Sequence, residues 1–193
     1  MRNRSERHEE LLQAAAQVFH EKGYTQTSLQ DIADRMKFTK PAIYYYAESK
    51  EALFTELYEA IVVSGIENAR AVATEEGSGR LRFEKLIRGH MRIFIENVQA
   101  NAILEVARGA LSAETRARMT FLEREYSTIL RDVYQAGIND GSLTNLDPGL
   151  VVNTVIGACN SLHRWYMPKG KFEPDEFIGA VLRLLGDGFN SRQ

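Results

Sequence analysis

Thr39-Lys40-Pro41 and Tyr44-Tyr45-Tyr46 gather hydroxyls, an ammonium group and a helix-starting proline into one short segment. These residue types suit a polyanion. A tyrosine ring fills space against a sugar or a thymine methyl, and its hydroxyl donates to phosphate without a long flexible stem to order. Thr39 can cap a helix whose N-terminal Lys40-Pro41 puts proline where its missing N–H matters least. The preceding helix begins with Thr27-x-x-Gln30, read as a capping box, and carries Leu29, Ile32, Ala33 and Met36 at i, i+3, i+4, i+7. Two short helices joined by a tight turn describe a helix-turn-helix, and a major groove about 12 Å wide admits its second helix. Lys50, one residue after a Ser49 cap, would place an ammonium group beside a helix N-terminus whose free N–H groups also favour phosphate.

These segments need a scaffold, and the remaining sequence reads as helical nearly throughout. Apolar residues recur at three and four rather than at alternate positions, and proline occurs only four times. About nine helices are expected. The first runs from about Ser5 to Lys22, with Leu12, Ala15 and Phe19 on one face and Gly23 as its left-handed end. Ser49 caps a long fourth helix to about Glu76, and Gly77-Ser78-Gly79 breaks the chain. Further helices are expected at about 80–98, 101–110, 112–138, 148–167 and 174–190, the last two starting at Asp147-Pro148 and Glu173-Pro174.

The chain has 193 residues, 44% of them hydrophobic, enough to bury a substantial core, which excludes a disordered or collagen-like chain. Its single Cys159 lies in an apolar run and reads as a buried structural thiol, in keeping with a reducing, cytoplasmic setting. No stretch reaches the ~18 residues of a membrane span, and no secretory signal is expected. The net charge of -2 argues weakly against nonspecific coating of nucleic acid. Local sign matters more: Arg2, Arg4, Arg7, Lys37, Lys40 and Lys50 lie at helix entries and turns.

The segments 10–24, 27–33, 38–46 and 49–53 closely resemble the N-terminal DNA-binding domain of TetR-family transcriptional regulators. The resemblance implies an all-α protein, with a three-helix helix-turn-helix domain at residues 1–50 and a larger helical effector-binding and dimerisation domain at 51–193. It further implies that Gln30, Lys40, Pro41 and Tyr46 face base edges, while Ser28, Thr39, Tyr44, Tyr45 and Lys50 contact the DNA backbone. The chain departs from the family pattern in two places. Lys37 stands where the turn usually has glycine, so positive φ there, at a cost of order 1 kcal/mol, or an altered turn is expected. The family's Tyr-Tyr-His-Phe run is here Tyr44-Tyr45-Tyr46-Ala47, which removes an imidazole and a buried ring; Phe38 or Phe54 is expected to fill the space.

The eighth and ninth expected helices, with Leu150, Val151, Val152, Val155 and Ile156 on one and Ile178, Val181, Leu182, Leu184 and Leu185 on the other, have apolar arcs too broad for one partner surface. Each should pack inward on one side and against a second subunit on the other, with Gly157, Gly179, Gly186 and Gly188 allowing close approach. In the resembled family these two helices form the homodimer, which sets two reading heads roughly 34–36 Å apart on a pseudo-palindromic operator. The middle helices then enclose a small-molecule effector site whose occupation releases DNA. His90 beside Phe94 is a candidate, although a lone histidine on an apolar helix is more often a hydrogen-bonded core residue; Arg108, Glu105, Arg124, His163 and Trp165 are further polar candidates. The stretch from Arg108 to Gly170 resembles, diffusely, regulators that respond to acyl-CoA thioesters, whose diphosphate would suit Arg108, Arg116, Arg118 or Arg164.

Two rival functions have different sequence requirements. No G-x-S-x-G, G-x-G-x-x-G, P-loop or H-E-x-x-H motif is present, and His8, His20, His90 and His163 share no metal-ligand spacing, so neither enzyme, metal nor cofactor is expected. A helical protein-interaction module with a degenerate helix-turn-helix is the alternative, resting on the missing glycine and histidine.

Overall fold

The computed structural model describes residues 4–96, 103–104, 107–164, 166–167 and 170–187, with Arg4, Glu96, His163 and Asp187 described by backbone alone. Among them are eight α-helices and one 3₁₀ turn, rather than about nine helices: α1 (Arg4–Lys22), α2 (Leu29–Met36), α3 (Lys40–Tyr46), α4 (Lys50–Ala73), α5 (Gly79–Glu96), α6 (Ala113–Asn139), α7 (Pro148–Asn160), the 3₁₀ turn Ser161–Arg164 and α8 (Pro174–Asp187). Of the helix expected at 101–110, residues 103–104 and 107–108 are helical, 109–110 form a turn, and 101–102 and 105–106 lie outside the described residues. The one expected at 148–167 stops as an α-helix at Asn160 and tightens into the 3₁₀ turn.

Contacts divide the chain into two compact units, Met1–Val63 with Ala102–Leu122, and Ser64–Asn101 with Glu123–Gln193. The division falls inside α4, after Val63, and inside α6, after Leu122. In the first unit, Leu11, Ala15, Val18 and Phe19 of α1 close over Ile32, Ala33, Ile43, Leu53 and Phe54. The inward residue on α1 is Leu11; Leu12 is only half-buried. Phe54 meets the rings of Phe19 and Tyr24, with centroids 5.8 and 4.9 Å away. Phe38 stacks on Tyr46 at 5.6 Å. Both expected replacements for the missing ring are thus packed against aromatic partners.

The second unit buries α5 against α7 and α8, with Leu86, Ile87, Met91, Leu130, Val133, Val152, Val155, Leu162 and Ile178 in one core. Cys159 is buried there as expected, and burial pushes its thiol up to about 12. The close approach that needs glycine occurs between α5 and α6: a Cβ on Gly79 would lie 2.2 Å from the Gly137 nitrogen. Gly157, Gly179 and Gly186 show no such crowding within the chain, and Gly188 lies outside the described residues. No helix among the described residues is long and apolar enough to cross a membrane.

Candidate nucleic-acid interface

The interface begins with how the chain enters α2. Its N-cap is Ser28, not Thr27: Ser28 Oγ accepts the Asp31 N–H at 3.2 Å, and the Asp31 carboxylate accepts the Ser28 N–H at 2.7 Å and hydroxyl at 2.6 Å. The box is shifted by one residue because Thr27 has another task. Its buried hydroxyl donates to the Gly23 carbonyl at 2.8 Å and anchors the end of α1. Gly23 itself takes φ +77, as its position at the end of α1 requires. Lys22 and then Ser28 hold the Asp31 carboxyl far below the usual carboxylate range.

The turn between α2 and α3 closes without glycine. Lys37 adopts φ 55 and ψ 36, its N–H reaches the Asp34 carbonyl at 3.1 Å, and the Phe38 N–H reaches the Ala33 carbonyl at 2.9 Å. This is the left-handed ending that glycine commonly provides, occupied by a side chain that must bear the strain. Thr39 then caps α3 through the Ala42 N–H at 3.4 Å, with proline in the first turn, as expected.

α3 presents its residues in two directions. Ile43 is 1% exposed and holds the helix down, while Tyr44 and Tyr45 are 53% and 63% exposed. Lys40, Pro41 and Thr39 are also exposed at its start. Tyr46 is different: it is half-buried between Phe38 and the edge of Tyr45, 5.0 Å away. The Arg7 guanidinium lies 5.8 Å from the Phe38 centroid and also pairs with Glu10 at 3.5 Å, so this residue of the N-terminal arginine set packs against the motif. Arg2 lies outside the described residues. Gln30 is exposed on α2, and its amide donates to Asp34 at 2.7 Å.

Lys50 occupies a position that sequence reasoning did not foresee. Its ammonium donates to the carbonyls of Tyr24, Thr25 and Thr27 at 2.9, 3.2 and 2.7 Å, as many acceptors as it has protons, and sits 4.7 Å from the Tyr24 ring centroid. It thereby clamps the turn between α1 and α2 to the start of α4. The carbonyls it needs come from the turn around Gly23, and that convergence is not visible in residue spacing.

His90 and Phe94 meet at 4.8 Å on α5, and Tyr126 of α6 stacks on His90 at 5.5 Å, a partner the sequence reading missed. His90 Nε2 lies 3.0 Å from Asn160 Oδ1, and burial holds the imidazole down at about 4, so the ring is neutral. Burial also pushes the Tyr126 hydroxyl above its usual range. Arg124 is exposed on α6. Arg108 belongs to the first compact unit and His90 to the second. The His163 side chain, Glu105 and Trp165 lie outside the described residues. Of the arginines suited to a diphosphate, Arg118 pairs with Glu59 at 2.6 Å and Arg116 donates to the Leu111 carbonyl. An open, mostly apolar cleft of about 240 Å³ is lined by Tyr166, Met167, Gly170, Lys171, Phe172 and Phe177. Among the described residues no group of three or more His, Cys, Asp or Glu could hold a metal ion.

A packed three-helix head with an outward second helix of the motif defines a helix-turn-helix DNA-binding regulator. The comparisons agree with that class. A family model described as bacterial regulatory proteins, tetR family, matches residues 11–57, and a tetracyclin repressor-like C-terminal domain matches residues 76–189. The chain belongs to the TetR family of transcriptional regulators. A TetR/AcrR-family regulator from Thermobifida fusca has a solved structure that is 38% identical, covers 96% of this chain and all of its own, and superposes with a TM-score of 0.81. The HTH-type transcriptional repressor KstR2 of Rhodococcus jostii is 26% identical over 97% of this chain and 93% of its own. FadR of Bacillus subtilis, solved with stearoyl-CoA, shares the fold at a TM-score of 0.77 and 22% identity, covering 93% of this chain and 98% of its own.

Proposed function

We propose that this chain is a ligand-responsive repressor that binds a pseudo-palindromic operator as a homodimer in the cytoplasm and is released by an acyl-CoA thioester. The observation that carries the DNA-binding half is the two-sidedness of α3, with Ile43 buried and Tyr44, Tyr45 and Lys40 facing water. On this reading Gln30, Lys40, Pro41 and Tyr46 reach base edges. Ser28, Thr39, Tyr44 and Tyr45 hold the backbone, with Lys50 joining them only by giving up carbonyls it now holds. Residues 1–50 form the reading head, and the rest serves effector binding and dimerisation.

The dimer reading rests on α7 and α8. Each buries one side, through Val152 and Ile178, and leaves leucines in water: Leu150 is 63% exposed, Leu184 53% and Leu185 38%. Leucines left exposed on both helices, the pair that the family uses for dimerisation, suit a self-complementary interface. The acyl-CoA reading draws on the relatives alone, among them the stearoyl-CoA-bound regulator. The 240 Å³ cleft falls below the roughly 300–1,000 Å³ of sites that enclose a drug-sized ligand, so it would take only part of such a molecule. The interaction-module alternative loses support because the turn at Lys37 closes without glycine and keeps α3 in place.

One binding experiment tests both halves. Operator duplex from upstream of the protein's own gene is titrated across a salt series, with scrambled duplex beside it. Log affinity should fall steeply with log salt, about 0.9 per phosphate contacted, and the operator should bind far better than the scrambled duplex. Equal affinity for the two would remove the repressor reading. Long-chain acyl-CoA should then release the operator and raise the Tm, with free fatty acid doing less. If no CoA thioester does either, the acyl-CoA class is withdrawn and the regulator stands.

A further inference from the structure

A capping box ordinarily closes within one helix, the third residue returning its carboxylate to the N-cap amide. At the start of α6 the N-cap is Ser112, whose Oγ accepts the Thr115 N–H at 3.1 Å. The third residue, Thr115, has no carboxylate. The acid comes from a different helix: Glu51, in the first turn of α4, accepts the Ser112 N–H at 2.9 Å and the Thr115 hydroxyl at 2.5 Å, both on Oε1. The Ser112 hydroxyl donates in turn to Thr115 Oγ1 at 3.0 Å, so three side chains form one relay.

The charge arrangement explains why a carboxylate belongs there. Glu51 lies in the first turn of its own helix and against the first turn of another, and both ends carry the positive pole of a helix dipole. A single negative charge between them satisfies both. Ser112, then Thr115, with Arg116 attracting from nearby, hold the Glu51 carboxyl below its usual range. Lys50 next to it grips the turn between α1 and α2. The first turn of α4 therefore holds the reading head with one residue and the start of α6 with the next. All these groups lie in the first compact unit, and α4 and α6 both run on, unbroken, into the second.

We infer that Glu51 is an interhelical cap that makes the start of α4 and the start of α6 one mechanical element, coupling operator binding to the helix that continues into the effector-binding region. It is a positioning residue and rests on the regulator reading above. Coupling between two sites is reciprocal, so a displacement of α6 that reaches α3 through Glu51 must have a counterpart: DNA at α3 must be felt at Ser112 and beyond.

That counterpart can be read without knowing the effector. The full-length protein is studied by amide hydrogen exchange, free and bound to a duplex selected from a random library. In the wild type, the duplex should slow exchange at residues 112–116 by about five-fold or more, the lower end of ordinary coupling. Glu51→Ala should reduce that ratio to less than about two-fold, and Glu51→Gln, which keeps an acceptor oxygen without the charge, should fall between. A residue that only stabilises α6 would raise exchange in both states and leave the ratio alone. A folded Glu51→Ala protein with the wild-type ratio overturns the inference. If that variant does not fold, Thr115→Val carries the test, since loss of the hydroxyl must also lower the ratio and an unchanged ratio again overturns it. Failure of the wild type to bind any selected duplex overturns the regulator reading itself, a result distinct from duplex binding that leaves residues 112–116 unaffected.

Discussion

The two compact units differ in the polar side chains they bury: the second adds neutral ones to its apolar core. In the first, Thr27, Ser28, Lys50 and Glu51 sit at helix ends and in turns, where each closes a backbone group of a neighbouring segment. In the second, the uncharged forms of His90, Tyr126 and Cys159 lie in or against the apolar core of α5, α6 and α7, and burial shifts each of them toward neutrality. A reading head needs its surface held at fixed positions, so polar groups serve as ties. A core that keeps neutral polar groups among apolar ones retains hydrogen-bonding specificity at the expense of desolvation. The contrast predicts that substitutions in the first unit alter geometry and affinity together, whereas those in the second alter the response to pH.

The largest expected effect is at Lys50. Lys50→Met removes the donor to three carbonyls and should lower stability by about 2 kcal/mol, the range of hydrogen bonds to a charged group. Thermal unfolding without DNA checks this. A residue whose task is only to hold phosphate would behave differently, leaving the DNA-free Tm unchanged and reducing the magnitude of the salt slope by about one. An unchanged Tm with a smaller slope would return Lys50 to the DNA backbone and weaken the contrast between the units.

Lys50 also marks the limit of what the sequence discloses. Elements written in local residue order were legible: the Thr39 cap, the Asp147-Pro148 start and the glycine at 23 all appear where spacing put them, and of the two outcomes the family pattern left open for Lys37 the fold adopts positive φ. The capping box missed by one residue because Thr27 and Ser28 are equivalent as letters, and only the fold decides which hydroxyl is buried. The clamp at Lys50 and the stacking of Tyr126 on His90 join residues 26 and 36 positions apart, and no periodicity encodes such meetings.

The second unit offers the next effect. His90 is neutral in the fold, held at about 4, and an unfolded histidine titrates near 6.5. As pH falls from about 6.5 toward 4, the unfolded chain takes up the proton first, so this stabilising contribution, complete above 6.5, is lost through that window and levels off below it. The loss should approach 1.4 kcal/mol per pH unit at most. His90→Gln, which can still meet Asn160, should flatten the fall in Tm between pH 6.5 and 5. The carboxylates held low, among them Asp31 and Glu51, act at lower pH and remain in both proteins. Parallel curves for the two would place the acid-sensitive group elsewhere.

The smallest effect returns to the first unit and tests whether its ties are strained. Lys37 is the non-glycine residue at positive φ among those described, and its N–H and that of Phe38 both serve the end of α2. A left-handed residue with a Cβ costs about 1–2 kcal/mol relative to its usual conformation, and glycine avoids that cost while losing about 0.4–1 kcal/mol through a freer unfolded chain. The difference favours Lys37→Gly by about 0.5 kcal/mol, a Tm rise of 1–2 °C at the roughly 2–4 °C per kcal/mol of a chain this size. The substitution also removes an ammonium group from the turn that precedes α3. Operator affinity should therefore stay level or fall slightly while stability rises. A Tm that falls instead would mean that the lysine side chain, and not only its backbone, holds the turn.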